Sequence, residues 1–271
     1  MPLVPAAPQS SKLAISVCVV SGAEAHRIST CLASVADWVS EIVVVLDDRA
    51  RDGTEAVVER FGGRVFREPW KGFVGQKNSA AAKCSQPWLL NLDADEAVSP
   101  DLRAEIVTLF EDQSRLEAHA AFESPRCTFF GGRWIRHGDW YPDRVCRLWR
   151  RGAAEWVGDE PHAFLRVHGR TGRLHSDLHH SPAETLDCQL EKIRAYSTSF
   201  VAESLARGRC ARWVDLGVRP WWRFFRAYVL RLGMLDGWPG YYIAWNTAFY
   251  TVHRYAKIRE ARRRLVPPDH P

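Results

Sequence analysis

The sequence predicts an α/β fold: a mostly parallel sheet with helices on both faces, followed by a C-terminal helical extension rich in aromatic and basic residues. Three observations carry this. Compact apolar runs rich in Val, Ile and Leu recur between residues 12 and 110. They alternate with segments that bear helix caps and glycine stops, which is the signature of a parallel sheet wrapped by helices. Beyond His180 the pattern turns helical, and five of the twelve tryptophans (Trp213, Trp221, Trp222, Trp238 and Trp245) fall in that last part.

Taken in order, residues 13–20 form a β-branched apolar run suited to a buried parallel strand. A helix follows over 26–35. A second buried strand, 42–46, ends abruptly in Asp47-Asp48. Residues 54–61 read as a helix with Thr54 as its cap and Gly62-Gly63 as its stop. A short strand at 64–66 and a helix over 75–84 lead to a fourth strand at 88–92, which again ends in acids. Ser99-Pro100-Asp101 opens a helix that reaches about residue 110, with Ser as cap and Pro in the first turn. Residues 119–172 read as short aromatic strands with antiparallel character.

Composition narrows the function classes. A chain of 271 residues with 46% hydrophobic and 25% charged residues is ordinary for a globular protein, which excludes general disorder. The net charge of +5 suits an anionic partner, but no nucleic-acid motif accompanies it, so no nucleic acid is expected. Seven cysteines without a C-x-x-C pair point to reduced thiols and away from a disulfide framework or a zinc site. Residues 1–11 lack the features of a signal peptide and are expected to be disordered. No run approaches the ~20 apolar residues of a spanning helix. The closest, 238–252, is interrupted by Pro239 and Gly240. A cytoplasmic protein that touches a membrane surface is the expectation.

The chemistry gathers at the acid-ended strands, because ligands of such sheets bind outside the carboxyl ends of the strands. Asp93-Ala94-Asp95 sets two carboxylates one residue apart at a strand end. Oxygen donors of this kind suit a hard divalent cation, Mn²⁺ or Mg²⁺, that shares its remaining positions with substrate phosphates. The competing reading is a solvated acidic loop that caps the next helix. At the earlier strand end, Asp47 can accept hydrogen bonds from a nucleotide base, and Asp52 can order the loop. Lys77 and Asn78, at the expected start of a helix, offer a cation to a phosphate; a surface lysine is the alternative. His180, with His179, can offer an imidazole to the metal or simply serve the structure.

These segments together resemble the glycosyltransferases of family 2, which have the GT-A fold, a Rossmann-like sheet. The likeness runs through Ser16-Val-Cys-Val-Val, Cys31-Leu-Ala-Ser-Val35, Ile42-Val-Val-Val-Leu-Asp47, Asp52-Gly-Thr54, Gln76-Lys-Asn78 and Leu92-Asp-Ala-Asp-Glu96. It continues in Gly138-Asp-Trp-Tyr-Pro-Asp143, Arg147-Leu-Trp-Arg150 and Val157-Gly-Asp-Glu-Pro-His162. Within the family the sequence looks most like the lipopolysaccharide core β-1,4-glucosyltransferase group. The resemblance implies inverting transfer of a sugar, such as glucose, from a nucleotide-diphosphate donor to a lipopolysaccharide core, surface-polysaccharide or lipid-linked acceptor. It implies that Asp47 contacts the base, that Lys77 and Asp93 contact the ribose or diphosphate, and that Asp95 is the principal metal ligand. Asp143 and Arg147 fall toward the acceptor; the run Arg144, Arg147, Arg150 and Arg151 can equally face solvent.

Two departures stand out. Relatives often carry Glu after the His of the loop, where this chain has Ala163, so the general base falls to Asp159 or Glu160. Ala163 also keeps open a non-catalytic protein that binds a sugar nucleotide or a partner. In place of a Ser-rich turn after Asp47, the chain has Arg49 and Arg51, two extra cations beside the donor. A nucleotidyltransferase is disfavoured because Ser21-Gly22-Ala23-Glu24-Ala25-His26 has one Gly and no Arg, and no G-x-G-x-x-G supports a dinucleotide enzyme.

Near the C-terminus, Arg219, Arg223 and Arg226 share one helix face, and Trp221, Trp222, Phe224, Phe225, Tyr228, Val229 and Leu232 cover the other. Such a helix suits a membrane interface, or packs on the rest of the protein. The expected organisation is a catalytic domain over 12–185, divided into a nucleotide-sugar half (12–110) and an acceptor half (111–185). A helical membrane-proximal extension (186–260) and a basic tail (261–271) follow. The enzyme would then lie on the cytoplasmic face of the inner membrane.

Overall fold

The computed structural model describes residues 12–158, 163–182 and 185–265. They divide into two compact units: residues up to 126 with 144–180, and residues 127–143 with those from 181 onward.

The first unit is built on strands β1 (Leu13–Ser21), β2 (Val39–Asp47), β3 (Arg64–Glu68) and β4 (Trp88–Asp93). All neighbouring pairs among them are parallel, in the order β3-β2-β1-β4. Helices α1 (Ala25–Ala33), α2 (Thr54–Arg60) and α3 (Gly72–Ala82) connect them. The short strand β5 (Glu96–Val98) and helices α4 (Pro100–Glu111) and α5 (Gln113–Glu117) follow. Beyond β4 the sheet is extended by β6 (Ala121–Phe130) and, after β7 (Arg133–Ile135), by β8 (Asp143–Arg150), which runs antiparallel to β4. A separate hairpin joins β9 (Ala154–Val157) to β10 (Phe164–Val167). Strand β11 (Thr171–Arg173) pairs with β6, and β12 (Leu178–His180) with β5.

Alternation along the parallel strands sends side chains to two cores. Ile15, Val17, Val19, Val44, Leu90 and Leu92 meet α1, α2 and α4 on one face. Cys18, Val43, Val45 and Leu89 meet α3 and Trp149 on the other. Both faces are thereby dry, which is why these strands are continuously apolar. All seven cysteines are free thiols, four of them buried.

Two expectations about helix starts shift. Thr54 is the first residue of α2 and its N-cap is Gly53, held at φ 85°, a left-handed conformation that glycine adopts without strain. The capping oxygen comes from Asp52, which accepts from the Thr54 amide at 3.2 Å. Helix α3 starts at Gly72, so Lys77 and Asn78 lie inside it and not at its start. Ser99 caps α4 as expected, its hydroxyl accepting from the Leu102 amide at 3.1 Å.

The second unit is helical apart from the β6–β7 hairpin end. It contains α6 (Leu186–Ala206), α7 (Trp213–Leu216), α8 (Val218–Phe225) and α9 (Gly237–Leu265). Between α8 and α9 lie a π-turn, Arg226–Leu230, and a 3₁₀ turn, Gly233–Asp236. Pro239 and Gly240 do not interrupt α9. Proline is tolerated in the first turn, where its missing N–H has no partner to lose. Gly240 lies so close to the Gly233 carbonyl that any side chain would collide with it. No helix among the described residues is long and apolar enough to cross a membrane.

Candidate functional site

The chain leaves β1 toward β2 and β3, then crosses to β4 on the other side, so β1 and β4 flank a topological switch point. Pairing sets Ser21 beside Leu46 and Val20 beside Asp93. Asp47 and Asp93 therefore end their strands at the same carboxyl edge, separated by β1 and roughly 10 Å apart from strand spacing.

Asp93 is the centre of an ion cluster. Lys77 Nζ lies 2.6 Å from Asp93 Oδ1, and Arg147 lies 2.6 Å from Oδ2. Arg147 also reaches Glu96 Oε1 at 2.7 Å, and Arg126 lies 3.3 Å from the same oxygen. The other Glu96 oxygen accepts from the Asp93 amide at 3.1 Å, which ties the turn after β4 to its own strand end. Glu96 is fully buried and Arg147 nearly so. Burial alone would raise the Asp93 pKa, but the charges of Arg147 and Lys77 outweigh it and hold the carboxyl well below its usual range. Burial likewise opposes the Arg147 charge, and Asp93 with Glu96 overcome it, so Arg147 stays ionised. The cluster sums to three cations and two carboxylates, a net positive seat beside the switch point. Arg147, expected toward the acceptor, thus turns inward. Asp143 begins β8.

Asp95 stands apart from this cluster. Its carboxylate faces His180 of β12, Oδ2 to Nε2 3.5 Å, with both side chains about one-fifth exposed. Burial raises the Asp95 pKa; contact with His180 lowers it further than burial lifts it, so the net direction is down. Both Asp93 oxygens are engaged by cationic side chains. Among the described residues no three His, Cys, Asp or Glu side chains converge as a metal cage. The Asp95 carboxylate is an oxygen donor of the kind that suits a hard cation drawing its other ligands from water and substrate phosphates.

Asp47 is held by Arg49: the Arg49 amide and Nε donate to Oδ1 at 2.9 and 3.0 Å, and a terminal nitrogen donates to Oδ2 at 2.7 Å. These hydrogen bonds lower the Asp47 pKa to about 2. Arg51 donates to the backbone carbonyls of Asp48 and Ala50. Both arginines expected beside the donor are thus folded onto their own loop. Asp52 accepts from the Ala25 amide at 2.9 Å and from the Thr54 hydroxyl at 2.6 Å, joining the starts of α1 and α2. Asp159 and Glu160, expected as the general base, lie outside the described residues, as does His162. Ala163 directly precedes β10.

Sequence reasoning passed over Trp156. Its indole lies over Lys77, with Nζ 4.3 Å from the ring centroid, a cation–π contact. Asn78 pins the strand that carries it: the amide donates to the Trp156 carbonyl at 2.8 Å and accepts from its N–H at 2.9 Å. Asn78→Ala strands both backbone groups, and a loss of about 2 kcal/mol is expected. Thermal unfolding should show a drop of about 5 °C; an unchanged midpoint would mean water replaces both bonds.

Two solved structures share the fold of GT-A glycosyltransferases with this chain. A mannosyltransferase from Pyrobaculum calidifontis, solved with GDP-Man and Mn²⁺, aligns with TM-score 0.53 and 14% identity, over 97% of this chain and 91% of that one. Staphylococcus aureus TarS 1–349, solved with UDP-GlcNAc, aligns with TM-score 0.50 and 15% identity, over 92% and 91%. Residues 16–157 match the family described as glycosyl transferase family 2, and the chain belongs to that family. A lipopolysaccharide core biosynthesis glycosyltransferase, LpsC of Rhizobium meliloti, is 30% identical over 95% of this chain and 96% of its own. An uncharacterized glycosyltransferase of Rickettsia felis is 27% identical over 91% and 90%. The protein is a glycosyltransferase.

Proposed function

We propose that the protein transfers a hexose, by inversion, from a nucleotide-diphosphate sugar to a hydroxyl of a lipopolysaccharide core, surface-polysaccharide or lipid-linked acceptor. The observation that carries the reading is the pairing of Asp95 with His180 beside the Lys77–Asp93–Arg147 cluster, at the carboxyl edge of the sheet. Asp47 receives the base there, and Asp52 holds the loop that follows it. Lys77, fixed by Asp93 and covered by Trp156, meets the ribose or diphosphate. Asp95, with His180 beside it, would hold Mn²⁺ or Mg²⁺, which when bound would neutralise charge on the diphosphate. The acceptor hydroxyl attacks the anomeric carbon, Glu160 or Asp159 takes its proton, and the nucleoside diphosphate departs. The family relationship to a lipopolysaccharide core enzyme supports the acceptor class. We assign the catalytic domain to residues 12–185.

The exposed aromatic residues of α8, Trp221, Trp222 and Phe225, support a peripheral seat on the cytoplasmic face of the inner membrane. A panel of nucleotide sugars tested by thermal shift with Mn²⁺ identifies the donor, because a ligand specific to the folded state raises its stability. One donor should raise the midpoint and lose its sugar to water or acceptor on longer incubation. A panel in which none does so contradicts the reading.

Arg49 offers a separate check. It is largely exposed, so its pair with Asp47 is of the weak, displaceable kind. A base that bonds Asp47 must displace Arg49, so Arg49→Ala should bind donor up to about fivefold more tightly. Weaker binding by titration calorimetry would assign Arg49 itself to the donor.

A further inference from the structure

Three arginines of the second unit converge on a single carboxylate. Arg223 lies 3.2 Å from Asp139 Oδ2, and Arg226 and Arg231 lie 3.0 and 3.3 Å from Oδ1. Arg223 and Arg226 are three residues apart and share a helix face, and the wide turn over Arg226–Leu230 brings Arg231 to the same point. The Gly138 amide donates to the Arg231 carbonyl at 2.9 Å, which fixes the partner loop to the turn.

One carboxylate balances one guanidinium, so two positive charges remain. Asp139 is almost wholly covered, with its side chain 8% exposed, while the three arginine side chains keep between 31% and 42% of their surface in solvent. Each guanidinium carries five N–H donors in a rigid fork that suits phosphate oxygens. The acids packed near these elements are engaged elsewhere. Asp236 accepts from the amides of Arg136 and His137 and meets the His137 ring. Asp215 holds Arg219 and the Arg212 amide. The same stretch of chain exposes Trp222, Phe225, Leu230 and Leu232. Unbalanced guanidinium charge beside an uncovered apolar surface matches an ionised phosphate joined to a hydrocarbon chain.

We propose that Arg223, Arg226 and Arg231 form a binding site for the phosphate of an anionic lipid, whose hydrocarbon lies against Trp222 and Phe225. Asp139 is its positioning residue, gathering three cations that would otherwise repel one another. The proposal rests on the membrane-surface reading above and names the contact that makes it.

The test is flotation of the full chain with phosphatidylcholine vesicles, with and without phosphatidylglycerol. Arg223→Gln and Arg231→Gln are each made alone, since two guanidiniums then remain on Asp139 and the fold is kept. Wild-type protein should prefer the anionic vesicles, and each substitution should weaken that preference about fivefold. Trp222→Ser with Phe225→Ser should reduce binding to both vesicle types. Undiminished binding by both arginine variants overturns the site and leaves the membrane reading standing. A wild type that binds neither vesicle overturns both. Complete displacement by excess inorganic phosphate overturns the lipid assignment, because a free anion would then suffice.

Discussion

Asp95→Asn is expected to lower sugar transfer by about a hundred- to a thousandfold while leaving thermal stability nearly unchanged. The separation of effects follows from where Asp95 lies. Its carboxylate meets His180 at 3.5 Å, and among the described residues it makes no salt bridge to the buried cluster that secures the end of β4. The substitution replaces an anionic donor at the proposed metal position with a neutral amide oxygen; stabilisation of charge on a departing diphosphate is worth several kcal/mol, and each 1.36 kcal/mol is about tenfold in rate. Steady-state rates with saturating donor, set beside a melting curve, check both halves. Equal rates in the variant and the wild type would remove Asp95 from the reaction.

Arg147→Ala should do the reverse and strike the fold first. The guanidinium is buried between Asp93 and Glu96, and Glu96 is itself fully buried. Removing the guanidinium takes from Asp93 and Glu96 their shared buried partner and leaves them to Lys77 and Arg126 alone, at about 3 kcal/mol. For a chain of this size that is roughly 10 °C in melting temperature. The linkage to pH follows from Asp93, whose pKa is lowered in the folded protein. Its stabilising share is present above the unfolded carboxyl pKa and is lost as pH falls through the lower folded value. Wild-type stability should therefore decline toward strong acid, and the variant should decline less, because part of that share is already gone. Melting curves across the acid range decide the matter; parallel curves would show that Arg147 does not hold the Asp93 charge.

Much of the first unit was legible because its strands are buried on both faces. A run such as residues 42–46 has no polar face to hide, and its abrupt end in Asp47 marks the sheet edge where ligands bind. The family resemblance put Lys77 and Asp93 on one region of the donor, and the two side chains meet in a salt bridge. Arg147 was not legible. Arginine is seldom fully buried, so a run holding Arg144, Arg147, Arg150 and Arg151 reads as a solvated face. Only the antiparallel pairing of β8 with β4, which sets Leu148 beside Leu90, brings Arg147 to the carboxylates. Trp156 was hidden for a similar reason: its role depends on Asn78, far away along the chain, clamping its backbone. The first turns of α3 and α9 were obscured by glycines that weaken helix propensity. At Gly240 the requirement is a close approach to Gly233, which no local pattern announces. The amphipathic helix near Arg223 was visible as a pattern, but the convergence of its arginines on Asp139 needed the fold.

Calorimetric titration of the preferred nucleoside diphosphate, with Mn²⁺ and then with a chelator, probes the central claim most directly when wild type and Asp95→Asn are run side by side. Strong binding that needs both the metal and the Asp95 carboxylate is the predicted result. Equal affinity in chelator, or an Asp95→Asn protein that retains the full metal-dependent gain, would contradict it.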